Sequence, residues 1–286
     1  MPRRTRRPRR SDAEIRVGGI ARWDEGRPHR IGLPEVVLAE GKDVEHLAAI
    51  VRKLAARGIG ALISRPTELQ LRRLRAEAAR GRLPITILAG GRVARLEGPI
   101  ALPVRTARPV ALVAAGTADV PVAEECRAIV ESLGVRTVTA YDVGVAGLHR
   151  LLRALRALRR VRPIAYVVFA GREGALPTVL AGLVAEPVLG VPVSVGYGRG
   201  GRGEAALGAM LQSCAPIAVV NIDGAVPAAL WAVRLARVVG RLGGRGERRA
   251  HRGPTANRGG PSPRRTLAGR VRRGGPTGRA HHPPRR

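Results

Sequence analysis

A chain of 286 residues, 45% of them hydrophobic, can bury a sizeable core in one large or two modest domains, which excludes a wholly disordered protein. Aromatic residues make up only 2%, so the core is built from Ala, Val, Leu and Ile, and the composition argues against recognition of single-stranded nucleic acid by base stacking. The formal net charge of +30 would point to a polyanionic partner, but more than half of it sits at the ends. Residues 1–10 carry six Arg, and residues 240–286 carry 14 Arg against one Glu. Lys42 and Lys53 are the only lysines, as expected of a coding bias toward Arg, Ala, Gly and Pro codons, so weak polyanion binding by the Arg-rich ends is the most this charge implies.

Residues 1–13 read as a disordered basic segment. The charged stretch after the Arg cluster has no apolar core of the kind a secretory signal needs. From Gly32 the pattern runs through a strand-like PEVVLAE, a helical DVEHLAAIVRKLAARG, an apolar IGALIS, a helical stretch over 67–80 and a strand-like PITILAG. Residues 14–105 are therefore expected to form a small α/β domain. LEGPIALPVRTARP, with three prolines and no helical period, reads as a linker.

A second series over 106–239 alternates the apolar runs VALVAAG, RTVTAYDVG, PIAYVVFAG, PVLGVPVSVG and IAVVNIDG with helical stretches. Runs rich in Val and Ile separated by helices imply right-handed βαβ units, hence a doubly wound parallel sheet buried on both faces. Four of these strands end in the turns GTADVP, YDVGVAG, GREGALP and SVGYGRGGRGE. Ligands bind outside the carboxyl ends of such strands, so the four turns are expected to converge on one crevice. Residues 240–286 are rich in Gly, Pro and Arg and are expected to be a disordered tail. No apolar run reaches the roughly 18 residues of a membrane span. A cytoplasmic protein without a membrane partner is the expectation.

In GTADVPVAEE, Thr117 and Asp119 lie between a strand and a Pro-initiated helix, where free amides and the helix dipole suit a phosphate or carboxylate. The same two residues would serve equally well as helix caps. The glycine-rich SVGYGRGGRGE lets backbone amides approach a nucleotide, or is a surface loop. Asp142, Glu173 and Cys214 each sit where an element meets a turn. A thiolate with two proton-moving carboxylates is a set for covalent catalysis, although a buried structural cysteine is the commoner fate. Cys126, inside a helical stretch, reads as structural, and the lone His149 as a capping or packing residue. No HExxH, GxSxG or GxxxxGK[ST] pattern occurs.

The ordered segments AAGTADVPVAEE, YDVGVAGLHRLL, AGREGALPTVLAGLV, PVSVGYG and MLQSCAPIAVVNID, over 109–223, resemble the LarB family. Its members are pyridinium-3,5-biscarboxylic acid mononucleotide synthases of nickel-pincer cofactor biosynthesis, relatives of the purine-biosynthetic aminoimidazole ribonucleotide carboxymutases (PurE). GLPEVVLAEGK resembles the family's N-terminal domain. The resemblance implies carboxylation of nicotinic acid adenine dinucleotide by CO2 or bicarbonate, then pyrophosphate cleavage aided by Mg2+, in a homo-oligomer. It implies Cys214 as nucleophile and Asp142 and Glu173 as acid/base carboxylates. Substrate contacts fall to Gly116, Thr117, Asp119, Gly144, Gly174, Ser194, Gly196, Tyr197 and Gly198, while the metal ligands stay unassigned. The purine carboxymutases, the alternative reading, share a His shortly before a Leu-Pro-Gly turn. Here that stretch is Glu173, Gly174, Ala175, Leu176, Pro177. Ala225, Val226 and Pro227 also depart from the glycine and aromatic pattern of the LarB family.

Overall fold

The computed structural model describes residues 13–100, 104 and 106–250. The expected basic N-terminus lies almost entirely outside them, as does the expected tail beyond Ala250. The catalytic-side sheet contains β7 (Val110–Ala114), β8 (Thr137–Ala140), β9 (Tyr166–Ala170), β10 (Val188–Pro192) and β11 (Ile217–Val219), in the order β11-β10-β9-β7-β8 and parallel throughout. This is the doubly wound parallel sheet expected. Its central strands, VALVA, YVVFA and VLGVP, are buried at every position, which is why they read as unbroken apolar runs.

One face of this sheet is covered by α5 (Leu148–Arg160), α6 (Ala175–Ala181) and α7 (Glu204–Leu211). In α5 the leucines Leu151, Leu155 and Leu158 recur at helical spacing and are buried, while the arginines between them face water. The other face is covered by α4 (Val120–Ser132) and α8 (Ala225–Ala250). Ala225, Ala228, Ala229, Ala232 and Ala236 line one side of α8 and are fully buried. Such small side chains let α8 lie close along α4 and explain how a core so poor in aromatics is closed. The helix carries on to Ala250, so the segment expected to be a tail from residue 240 begins as helix.

The N-terminal unit is more elaborate than its sequence pattern. To the expected β3 (Val36–Leu38), α2 (Val44–Ala55), β4 (Ala61–Ser64), α3 (Glu68–Ala79) and β5 (Ile85–Leu88) it adds an antiparallel hairpin, β1 (Glu14–Val17) with β2 (Ala21–Asp24). It also adds α1 (Arg27–Ile31) and β6 (Val93–Leu96). β6 inserts antiparallel between β4 and β5, so the expected linker starts inside a strand. One face of this sheet packs on α2. The other sends Leu62 and Val93 into the same core as α4 and α8. The two helices are thus shared between two sheets. Among the described residues no helix is long and apolar enough to cross a membrane.

Glu125 of α4, fully buried, joins the two units. Its carboxylate accepts from Ser64 Oγ at 2.7 Å, Arg65 Nε at 3.3 Å and Arg92 NH2 at 2.8 Å, all from the N-terminal unit. Stripping one partner from a buried ion pair costs about 3–5 kcal/mol. Arg65 and Arg92 reach partly into solvent, which places the expected loss for Glu125→Ala near the low end, about 3 kcal/mol. Thermal denaturation checks it, at roughly 2–4 °C per kcal/mol for a domain of this size.

Candidate functional site

In the order 2-1-3-4-5 the chain reverses direction between the first and third strands, here β7 and β9, and the carboxyl ends there open a crevice. A cavity of about 660 Å3 occupies this position, within the usual range for small-molecule sites. All four expected turns line it: Gly116 and Asp119 after β7, Asp142 and Gly144 after β8, Gly171 to Glu173 after β9, and Val195 to Tyr197 after β10.

Asp119 ties two of these turns together. Its Oδ2 accepts the Gly116 amide at 2.8 Å and its Oδ1 the Gly171 amide at 3.0 Å. Burial raises its pKa above the ordinary value of 3.8 against the pull of these amides, and the negative charge of Glu173 adds to the rise. Both oxygens are already engaged, so Asp119 shapes the cavity floor more than it offers acceptors to a ligand. Gly171 is needed there, because a Cβ would meet the Val195 carbonyl oxygen at 2.5 Å. Asp142 has φ of +57°, a left-handed conformation that Asp tolerates, and its Oδ2 accepts from Arg150 NH1 at 2.7 Å. Arg172, at φ +50°, lies 4.8 Å from the ring centroid of Tyr197 and donates from NH1 to the Tyr197 hydroxyl at 2.8 Å.

Of the expected site residues, Gly116, Asp119, Asp142, Gly144, Glu173, Gly196 and Tyr197 line the cavity. Thr117, Gly174, Ser194 and Gly198 do not. Thr117 opens a single helical turn. Gly174 stands at φ +62° before α6, where a Cβ would strike the Ala206 backbone at 2.7 Å. Ser194 donates its amide to Asp223 Oδ1 at 2.9 Å, and Gly198, at φ +70°, begins the turn before α7. These four flank the cavity without lining it.

Cys214 lies apart from the other expected residues. It is exposed in the turn between α7 and β11, three residues before Ile217, which pairs with Val188 at the start of β10. That is the amino end of the parallel sheet, whereas the cavity opens at the carboxyl ends. One chain therefore does not bring Cys214 to Asp142 and Glu173. Cys126 is buried in the core, where burial pushes its thiol pKa up, in keeping with a structural role. His149 is exposed and does not line the cavity. Sequence reasoning missed Arg150 and Arg172, because in a chain with 51 basic residues no single Arg stands out.

Asp119→Asn keeps the shape but turns one N–H acceptor into a donor facing the amide of Gly116 or Gly171. A loss of about 1–3 kcal/mol at neutral pH is expected. A carboxyl whose pKa is raised by folding stabilises fully in acid and loses that contribution as pH rises through the raised value. The stability gap between wild type and variant, measured by denaturant titration, should therefore widen as the pH is lowered.

The model of the AIR carboxylase family matches residues 109–241, and that of the LarB/PurE-like N-terminal domain matches residues 15–83. A relative in Methanocaldococcus jannaschii, described as uncharacterized protein MJ0165, is 37% identical over 220 residues, 76% of this chain and 84% of the relative. The crystal structure of Treponema denticola PurE is 19% identical with a TM-score of 0.38, covering 53% of this chain and 100% of its own. A substituted PurE from the same organism is 19% identical with a TM-score of 0.37, covering 53% of this chain and 99% of its own. With identity of this level across most of both chains and family matches on each unit, the chain belongs to the AIR carboxylase family and carries a LarB/PurE-like N-terminal domain.

Proposed function

We propose that this protein carboxylates the pyridinium ring of nicotinic acid adenine dinucleotide and cleaves its pyrophosphate, releasing AMP. The observation that carries the reading is the convergence of all four motif turns on one cavity that presents Asp142, Glu173 and two arginines, with no histidine among its lining residues. A purine carboxymutase on the same fold would be expected to place its motif His there.

A pyridinium ring is too electron-poor to attack CO2. Addition of a thiolate at C4 removes the positive charge and leaves an enamine whose C5 is nucleophilic. After C5 bonds to CO2, a base takes the C5 proton and the thiolate departs with its electron pair, restoring aromaticity. Asp142, oriented by Arg150, and Glu173 are the carboxylates of the cavity free for that proton transfer. The thiolate of Cys214 can reach such a cavity only from a second copy of the chain, which fits the homo-oligomer that the resemblance implies.

Among the described residues no three His, Cys, Asp or Glu converge as a metal site. The donors fit Mg2+ as an ion carried on the substrate's phosphates, since Mg2+ is commonly held by one or two carboxylates plus phosphate oxygens. One of the two, Glu173 or Asp142, would hold it while the other moves the proton, and it would neutralise charge on the pyrophosphate.

Incubation of the protein with the dinucleotide, bicarbonate and Mg2+ should yield AMP and a mononucleotide heavier by one carboxyl group, read by mass spectrometry. Turnover of aminoimidazole ribonucleotide in place of the dinucleotide would move the assignment to the purine enzyme. Cys214→Ser should lower carboxylation by several orders of magnitude, because an alcohol supplies little anion, while Cys126→Ser stays active. Mixed and refolded together, Cys214→Ser and Glu173→Gln chains should regain activity that neither shows alone. No recovery would place nucleophile and carboxylate in the same chain or remove Cys214 from the chemistry.

A further inference from the structure

The cavity holds two cations, and they are differently committed. Arg150 is anchored on the Asp142 carboxylate. Arg172 has no carboxylate at hydrogen-bond distance: Glu173 Oε2 is 4.0 Å from its Nε, and its one side-chain hydrogen bond goes to the neutral hydroxyl of Tyr197. The guanidinium carbon lies over the Tyr197 ring, and the bond from NH1 to the Tyr197 hydroxyl uses only part of the donor fork.

Two independent features mark this pair. Arg172 keeps a left-handed backbone, φ +50°, where an L side chain pays a strain of about 1–3 kcal/mol that persists only if the surroundings impose it. The turn imposes it through the Gly174 amide on the Gly171 carbonyl at 3.0 Å, with Gly171 wedged against Val195. Tyr197, moreover, is 78% exposed, while the other five aromatics, Trp23, Tyr141, Tyr166, Phe169 and Trp231, are buried or half-buried. A protein that spends so few aromatics leaves this one in water at the mouth of its cavity.

We propose that Arg172 and Tyr197 form a nucleotide subsite at the cavity mouth, the guanidinium holding a phosphate of the AMP half of the substrate and Tyr197 carrying its purine. This rests on the dinucleotide reading above. It places the pyridinium end toward Asp142 and Glu173, with the phosphoanhydride between the two ends. Arg172 thereby determines specificity for a dinucleotide over a mononucleotide. Its part is binding, and no bond to it is made or broken.

Titration calorimetry with AMP and steady-state kinetics with the dinucleotide test this on the full chain. Arg172→Met keeps the stem and removes the charge-assisted donors, so AMP affinity should fall, and KM for the dinucleotide should rise, by roughly 10- to 100-fold. Arg172→Lys should recover only part of the loss, since an ammonium cannot present the fork. Tyr197→Leu should weaken AMP by a smaller factor. Arg153→Met, an equal loss of charge on the outer face of α5, should leave both readings at wild-type values. AMP binding that Arg172→Met abolishes supports the subsite even in a protein that does not turn over the dinucleotide, the outcome that sinks only the dinucleotide reading. Turnover of the dinucleotide with AMP affinity and KM unchanged in Arg172→Met overturns the subsite and leaves the reading standing. A wild-type protein that binds no AMP also overturns the subsite.

Discussion

A carboxylate sealed from water has to be matched by donors, and the architecture follows from where those donors come from. Glu125 sits in the middle of α4 with no access to solvent, and its partners Ser64, Arg65 and Arg92 all belong to the other sheet. The N-terminal unit therefore has one docking position, the one that brings the ends of β4 and β6 to this helix. Arg65 carries the link further. Its guanidinium also donates to the Asp223 carbonyl, and the Asp223 carboxylate receives the Ser194 amide. A chain of hydrogen bonds so runs from the N-terminal sheet, through the turn after β11, to the loop that ends in Tyr197.

The cavity itself is a product of turns that cannot relax singly. Asp119 pins the first turn to the third, Gly171 fits between Asp119 and Val195, and Arg172 bridges the third turn to the fourth through Tyr197. Left-handed backbone recurs just past the strand ends, at Arg65, Asp142, Arg172 and Asp223. Concentrated strain of this kind is what a preorganised site stores.

Much of this was legible in the sequence. The five strands of the parallel sheet announced themselves as Val- and Ile-rich runs, and the rule that ligands bind where a parallel sheet reverses its order correctly brought four separate turns to one place. What failed did so for physical reasons. β6 went unrecognised, with the linker begun at its last residue, because its four residues, VARL, include an Arg and adjoin a proline-rich stretch. The β1–β2 hairpin was hidden by alternation with charged residues over only four positions a strand. For Cys214 the motif gives order along the chain and not which end of a strand it occupies; MLQSCAP precedes β11, so within one chain it stands at the sheet edge opposite the cavity. Arg150 and Arg172 were camouflaged by composition, and Glu125, one acidic residue in a helix of ordinary appearance, carries no local sign that it is the one buried between domains.

The sharing of α4 and α8 between two sheets bears on how the chain is made. As it emerges during synthesis, the N-terminal sheet can complete its strand pairing at β6, yet its face bearing Leu62 and Val93 has nothing to lie against until α4 follows, and α8 comes only after the whole parallel sheet. An apolar surface is thus held open until α4 emerges, and α4 in turn lacks α8 until the parallel sheet is complete, an interval in which a nascent chain is exposed to aggregation and to chaperone capture. The arginines that stud the outer helices give the unfinished chain a like-charged surface during that wait, so the same composition that obscures the site would oppose association between neighbouring nascent chains.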